Sequence, residues 1–220
     1  MATARASRSK RRRGVGAILR MASLRRLCGE LQDWRSDDDL KVLQAAKGSA
    51  VVLPFVKGLM LSAKLIYVLR GELSEMGLEV DWGHLLDDKE ESCSPECDII
   101  IHEKGHAGQW NGDEDPVMNF KFIKRSAAVA VISCKSGPTV DKEYATNLRP
   151  YVKNVFLFVE CCAPDKVASL HKKAKGAGYA GFGYLYGFDS KTGIITTDPK
   201  AWLSFLDTVK SKAKRARRQT

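Results

Sequence analysis

An apolar strand that stops on a lysine constrains this chain more than any other feature. Residues 127–136 read AAVAVISCKS, a run of small and β-branched side chains of the kind that fills a buried strand, closed by Lys135. Lysine is among the residues least often buried, so such a strand must deliver its last side chain to an edge or a site. A counterpart stands upstream, where residues 95–101 read PECDIII and Asp98 opens a second apolar run. If the two runs pair as antiparallel neighbours, the beginning of one lies beside the end of the other. Carboxylate and ammonium then project from one sheet edge. The plainer alternative is that Asp98 caps a turn and Lys135 marks where a strand meets solvent.

The rest of the chain supplies further strands and the helices to cover them. Helical periodicity is expected over residues 15–34, and a short helix over 40–46 behind the acidic run at 36–39. From Pro54, placed in a first turn, Leu59, Leu61, Leu65, Ile66, Leu69 and Leu73 recur at helical spacing, with Gly77 as the stop. Strands are expected at 78–82, 97–102, 129–135, 155–160 and 181–188, and helices at 139–148, 164–175 and 199–212. Residues 104–116, rich in Gly, Asp and Asn, are expected as loop. That order implies an α/β fold with a mixed central sheet flanked by helices. One domain over about 27–208 accounts for it, with basic tails at 1–26 and 209–220.

Charge separates those tails from the body. Residues 1–26 hold nine Arg or Lys and no acid, and residues 209–220 hold six more, again with no acid. The net charge of +10 therefore belongs to the ends, because the middle carries more acids than bases. Arg11, Arg12, Arg13, Lys214, Arg215, Arg217 and Arg218 are the candidate phosphate contacts, since neutralising a polyanion releases condensed counterions. The acid-poor, Arg-rich N-terminus also has the composition of an organelle transit peptide, and Met21 is an alternative start. Cytoplasmic residence, or organellar if that segment is a transit peptide, is the expectation. No uninterrupted apolar run reaches the 18 or so residues of a membrane span, so no membrane partner is expected.

Three other patterns carry less. Six cysteines, two of them adjacent at Cys161 and Cys162, do not make a secreted disulfide framework. Cys93, Cys97, His102 and His106 are zinc-ligand types, but Cys97 and His102 fall at opposite ends of one expected strand, some 16 Å apart at about 3.3 Å per residue. The run at 176–187, GAGYAGFGYLYG, lacks the ending of a phosphate loop and is expected as a close-packed strand. Its Tyr179, Tyr184 and Tyr186 suit base stacking only if exposed. Trp82 is expected in the core and Trp110 in a loop.

PECDIII followed by VISCKS resembles the PD-(D/E)XK nucleases, the restriction-endonuclease-like fold, with an αβββαβ core over about residues 54–160. Two departures stand out. Pro95 and Asp98 are separated by Glu96 and Cys97, and the acid two residues before the lysine is replaced by Ser133. The triplet Ser133-Cys134-Lys135 is similar to a Ser-x-Lys variant in one subgroup of type II restriction enzymes, where a glutamate on the next helix supplies the missing carboxylate. Glu143 is the candidate here, with Asp141 nearby. The first-helix glutamate common in the superfamily, four residues after a glycine, is Ser62 following Gly58.

The resemblance implies a metal-dependent endonuclease acting on DNA rather than RNA, using Mg²⁺ or Mn²⁺. Asp98, Glu143 and the Cys134 carbonyl would be metal ligands, Lys135 the catalytic lysine, and Ser133 a supporting residue. A homodimer is implied where both strands are cut. The alternative is a catalytically degenerate relative that binds nucleic acid without cutting it, and a third reading is a protein-interaction module whose tails are targeting signals.

Overall fold

The computed structural model describes residues 22–31, 42, 45–46, 49–105, 107–109, 121–188 and 195–216. The expected helix at 40–46 and the residues Arg11, Arg12, Arg13, His106, Trp110, Arg217 and Arg218 lie outside this set, apart from single positions within 40–46. Elements follow in chain order: α1 (22–31), α2 (Ser49–Leu73), β1 (Leu78–Leu86), β2 (Cys97–Glu103), β3 (Ala107–Gln109), β4 (Lys121–Lys124), β5 (Ala128–Lys135), α3 (Lys142–Leu148), β6 (Val155–Cys162), α4 (Val167–Gly176), β7 (Gly181–Phe188), β8 (Ile195–Thr197) and α5 (Pro199–Ala216).

Among the described residues the strands form one eight-stranded sheet in the order β3-β4-β1-β2-β5-β6-β7-β8. β2 runs antiparallel to both its neighbours, β1 and β5, whereas β5, β6 and β7 run parallel. Parallel neighbours need crossovers, and α3 and α4 supply them. Alternation along the strands then sorts the apolar side chains into two cores. Ile99, Ile132, Phe156 and Phe158 meet α1, α2 and α5 on one face, and Val131, Val155, Leu157 and Val159 meet α3 and α4 on the other. The mixed sheet covered on both faces is the α/β architecture expected from the order of elements. Its αβββαβ core is α2, β1, β2, β5, α3 and β6.

Several boundaries differ from expectation, for local reasons. Helix α2 starts at Ser49, so Pro54 sits inside it and removes the amide that would bond the Ala50 carbonyl. A 3-10 turn, Ser74–Met76, follows, and Gly77 ends it in the left-handed region at φ 66° with its N–H on the Ser74 carbonyl. Strand β1 continues past Trp82 because Gly83, at φ 140°, absorbs a register shift and lets β4 pair alongside. The expected loop at 104–116 contains β3, and β4 and β8 carry too few residues to show a period. Helix α5 runs to Ala216 with Val209 and Ala213 fully buried, so the boundary expected at 208 falls within a helix.

Val52–Met76 is long and apolar enough to cross a membrane by length and composition, because its lysines are spaced rather than absent. Its Leu61, Leu65, Leu69 and Leu73 pack in the sheet core. Helix α1 is fixed by Leu24, Leu27 and Leu31 at helical spacing, all buried, and by the Tyr186 hydroxyl, which donates to the Cys28 carbonyl at 3.0 Å.

Candidate active site

The β2–β5 register carries Asp98 and Lys135 to one edge. Ile99 pairs with Ile132, so one step outward Asp98 faces Ser133, with Cys134 and Lys135 beyond. The Asp98 carboxylate accepts from the Cys134 amide at 2.8 Å, which anchors it across the strands. Lys135 is the last residue of β5 and leans toward α3. Its Nζ lies 5.7 Å from the centre of the Tyr144 ring and 4.0 Å from an Asp141 carboxylate oxygen. Asp141 is itself fixed twice, as N-cap of α3 accepting the Tyr144 amide at 2.9 Å, and through its carbonyl, which accepts the Tyr179 hydroxyl at 2.7 Å.

Asp98 and Lys135 line a cleft of about 450 Å³ together with Ser62, Trp82, Glu96, Cys134, Ser136 and Thr139, walled on one side by Phe55 and Leu59 of α2. Burial pushes the Asp98 carboxyl above its ordinary value and the Glu96 charge adds to this, against the Cys134 amide and the Lys135 charge, which favour the carboxylate. Ser62 stands in the cleft at the position the superfamily pattern reserves for a glutamate, and its hydroxyl is turned back to the Gly58 carbonyl at 3.0 Å.

Glu143 is on the exposed side of the first turn of α3 and does not line the cleft. Glu96 does, and it is the acid that motif reading passed over. Its signal was the spacing Pro95-Glu96-Cys97-Asp98, in which one carboxylate precedes the strand and a second follows at its second residue. Ser133 is fully buried beneath the edge, and its hydroxyl has no hydrogen-bond partner among the described residues. Trp82, expected in the core, is half-buried and forms part of the cleft wall. Tyr179 and Tyr186 are buried and Tyr184 donates to Asp198 at 2.7 Å, so the glycine-rich strand is structural. Lys214 and Arg215 lie exposed in the last turn of α5.

A second polar cluster occupies the far end of β2. Glu79, Asp81 and His102 bring three potential metal-ligand atoms within 4.8 Å of one another, the one such group among the described residues. Asp81 and His102 are already engaged, while among the described residues Glu79 accepts only the Gly105 amide, at 3.4 Å. Asp81 receives Arg70 at 2.6 Å on one oxygen and His102 Nε2 at 2.9 Å on the other, while His102 Nδ1 faces the Glu103 carbonyl at 2.8 Å. Burial would raise the Asp81 carboxyl, but His102 and Arg70 outweigh it and hold it below its ordinary value. A cation bound through Asp81 would compete with the Arg70 guanidinium. Cys97 is buried at the other end of β2 from His102, and Cys93 is exposed before the strand, so among the described residues no zinc site joins them.

No family model matches the chain, and no curated protein matches it. Among solved structures, the chain is similar to P. aeruginosa NucC in its cAAA-bound form, with a TM-score of 0.51 at 11% identity, covering 89% of each chain. A cAAA-bound NucC from E. coli gives a TM-score of 0.49 at 9% identity, covering 86% of this chain and 90% of that one. At 11% identity the first match bears on the fold alone, which is restriction-endonuclease-like.

Proposed function

We propose that the chain is a metal-dependent endonuclease that hydrolyses phosphodiester bonds of DNA in the cleft holding Asp98 and Lys135. The observation that carries this reading is the strand register, which sets a carboxylate and a lysine side by side at the mouth of an open cleft. The donor set also fits a hard cation, because Asp98, Glu96 and the Cys134 carbonyl offer only oxygen. Bound there, Mg²⁺ or Mn²⁺ would polarise the phosphoryl oxygens and lower the pKa of a water.

The chain's own residues would do the rest. Asp98 is held in place by the Cys134 amide, so no rotamer search precedes ligation. Lys135 would orient the attacking water and offset charge developing on the phosphorus oxygens. Asp141, at 4.0 Å, and the Tyr144 ring keep its ammonium at the edge. For the second carboxylate the geometry favours Glu96, a cleft residue, over Glu143, which would need a rearrangement of α3. The basic ends, Arg11, Arg12, Arg13, Lys214, Arg215, Arg217 and Arg218, would add sequence-independent phosphate affinity.

A second reading is supported by Ser133. The position that carries the motif acid holds a buried hydroxyl, and Ser62 holds the place of the first-helix glutamate, so the scaffold would bind DNA without cutting it. Incubation of plasmid and linear DNA with Mg²⁺ or Mn²⁺, beside a Lys135→Ala control, separates the two. Cleavage lost in the control supports the enzyme. No cleavage of any DNA form across a broad metal screen sinks it and leaves the binder.

A further inference from the structure

We infer that helix α4 and the end of α3 form a structured phosphate-binding face, distinct from the basic ends of the chain, whose occupant is the backbone of a DNA duplex. This rests on the reading that the chain acts on nucleic acid, but not on its being catalytic.

The residues 149–176 contain Arg149, Lys153, Lys166, Lys172, Lys173 and Lys175, all exposed. Their acidic company is Glu160, buried in β6, and Asp165. Among the described residues none of these six cations makes an ion pair. That sets them apart from Lys64, Arg70, Lys124, Arg125 and Lys210, each of which has a carboxylate within 3.2 Å. Several surface cations elsewhere on this fold are neutralised locally, whereas these six are gathered along one stretch with a single exposed acid, Asp165, beside them. Solubility alone does not require them on one face, since the chain is already strongly basic.

The backbone draws them together. Helix α4 turns Leu170 and Ala174 to the sheet, which puts Lys172, Lys173 and Lys175 outward. Gly178 follows at φ 94°, its N–H on the Lys175 carbonyl at 3.1 Å, and the Arg149 guanidinium lies where a side chain at 178 would stand. The end of α3 is thereby joined to the end of α4 in one cationic surface. The face is on the same side of the sheet as Lys135, because α3 and α4 cover that layer and Lys135 leans on Tyr144 of α3. Lys166 opens α4 just beyond the end of β6, the strand that pairs with Lys135 through Val159. A duplex whose phosphates track α4 would thus run toward the cleft edge. Phosphate contacts of this kind position a duplex without reading its sequence.

The test uses the full-length chain and a labelled DNA duplex of random sequence, titrated in EDTA over a range of salt so that cleavage plays no part. The variant Lys172→Ala/Lys173→Ala/Lys175→Ala should weaken binding on the order of 50-fold near physiological salt and lower the log–log salt slope by about 2 to 3. A control, Lys89→Ala/Lys104→Ala, removes exposed lysines from elsewhere and should leave the slope unchanged. An unchanged slope in the triple variant overturns the inference, as does an equal loss per charge in the control. Cleavage by the wild type with an unchanged slope defeats this face and spares the enzyme. A lowered slope with no cleavage does the reverse.

Discussion

The two ends of strand β2 carry similar side chains and use them differently. At one end Asp81, His102 and Arg70 saturate one another, with both carboxylate oxygens and both ring nitrogens engaged. At the other, Asp98 accepts a single strong hydrogen bond, Lys135 stands 4.0 Å from its nearest carboxylate, and the Ser133 and Tyr144 hydroxyls beneath have no partner among the described residues. A buried polar cluster with every group satisfied stabilises and specifies a fold, while one left incomplete is costly unless a ligand or water completes it. The contrast distinguishes a structural network from the proposed site, although the first has the more conspicuous set of ligand types.

That contrast can be broken experimentally, beginning with the largest effect. Lys135→Ala should lower the cleavage rate about a thousandfold, or ~4 kcal/mol of barrier, with the thermal midpoint unchanged. A coincident fall in midpoint would make Lys135 structural. Asp81→Ala should do the opposite, costing ~3 kcal/mol of stability in denaturant unfolding because the Arg70 guanidinium and the buried His102 ring lose their shared partner, with cleavage per folded molecule retained. If it instead abolished Mg²⁺ binding without unfolding the chain, the roles of the two clusters would be exchanged.

Smaller effects sharpen the comparison. Glu96→Gln should weaken Mg²⁺ binding by calorimetry about tenfold, ~1.4 kcal/mol, whereas Glu143→Gln should leave it unaltered. The reverse pattern would return the second carboxylate to α3. Smallest is the metal-free stability of Asp98→Asn. Because burial raises the Asp98 carboxyl in the folded chain, its contribution is full below the unfolded value and declines as pH rises through the folded value. The variant should therefore be more stable than wild type by ~1 kcal/mol at neutral pH without metal, and the difference should vanish on acidification. A variant less stable at neutral pH would mean that the charge is already compensated.

Much of this was legible in the sequence, and the limits have physical causes. Apolar runs long enough to show their period, such as AVAVIS and VFLFVE, gave their strands within two residues at either end. KFIK and ITT did not, because strands β4 and β8 at the margins of the sheet need only three or four residues and depend on a neighbour's backbone. Asp98 and Lys135 were legible because each is fused to a strand terminus. The cleft position of Glu96 was not, since it depends on how β1, β2 and α2 close around the loop before Asp98. The grouping of the α4 cations was not legible either, because only the fold brings Arg149 against the turn that follows the helix.

Gly83 has a consequence for how this sheet came to its width. A β-carbon there would fall on the Lys121 carbonyl of the adjoining strand. One absent side chain thus permits β4, and β3 beyond it, to be appended to a core that would otherwise terminate at β1. Replacing Gly83 with alanine should shear off that margin and bare the β1 edge to intermolecular pairing, so one backbone position opposite Cys97 bears on the chain's propensity to self-associate.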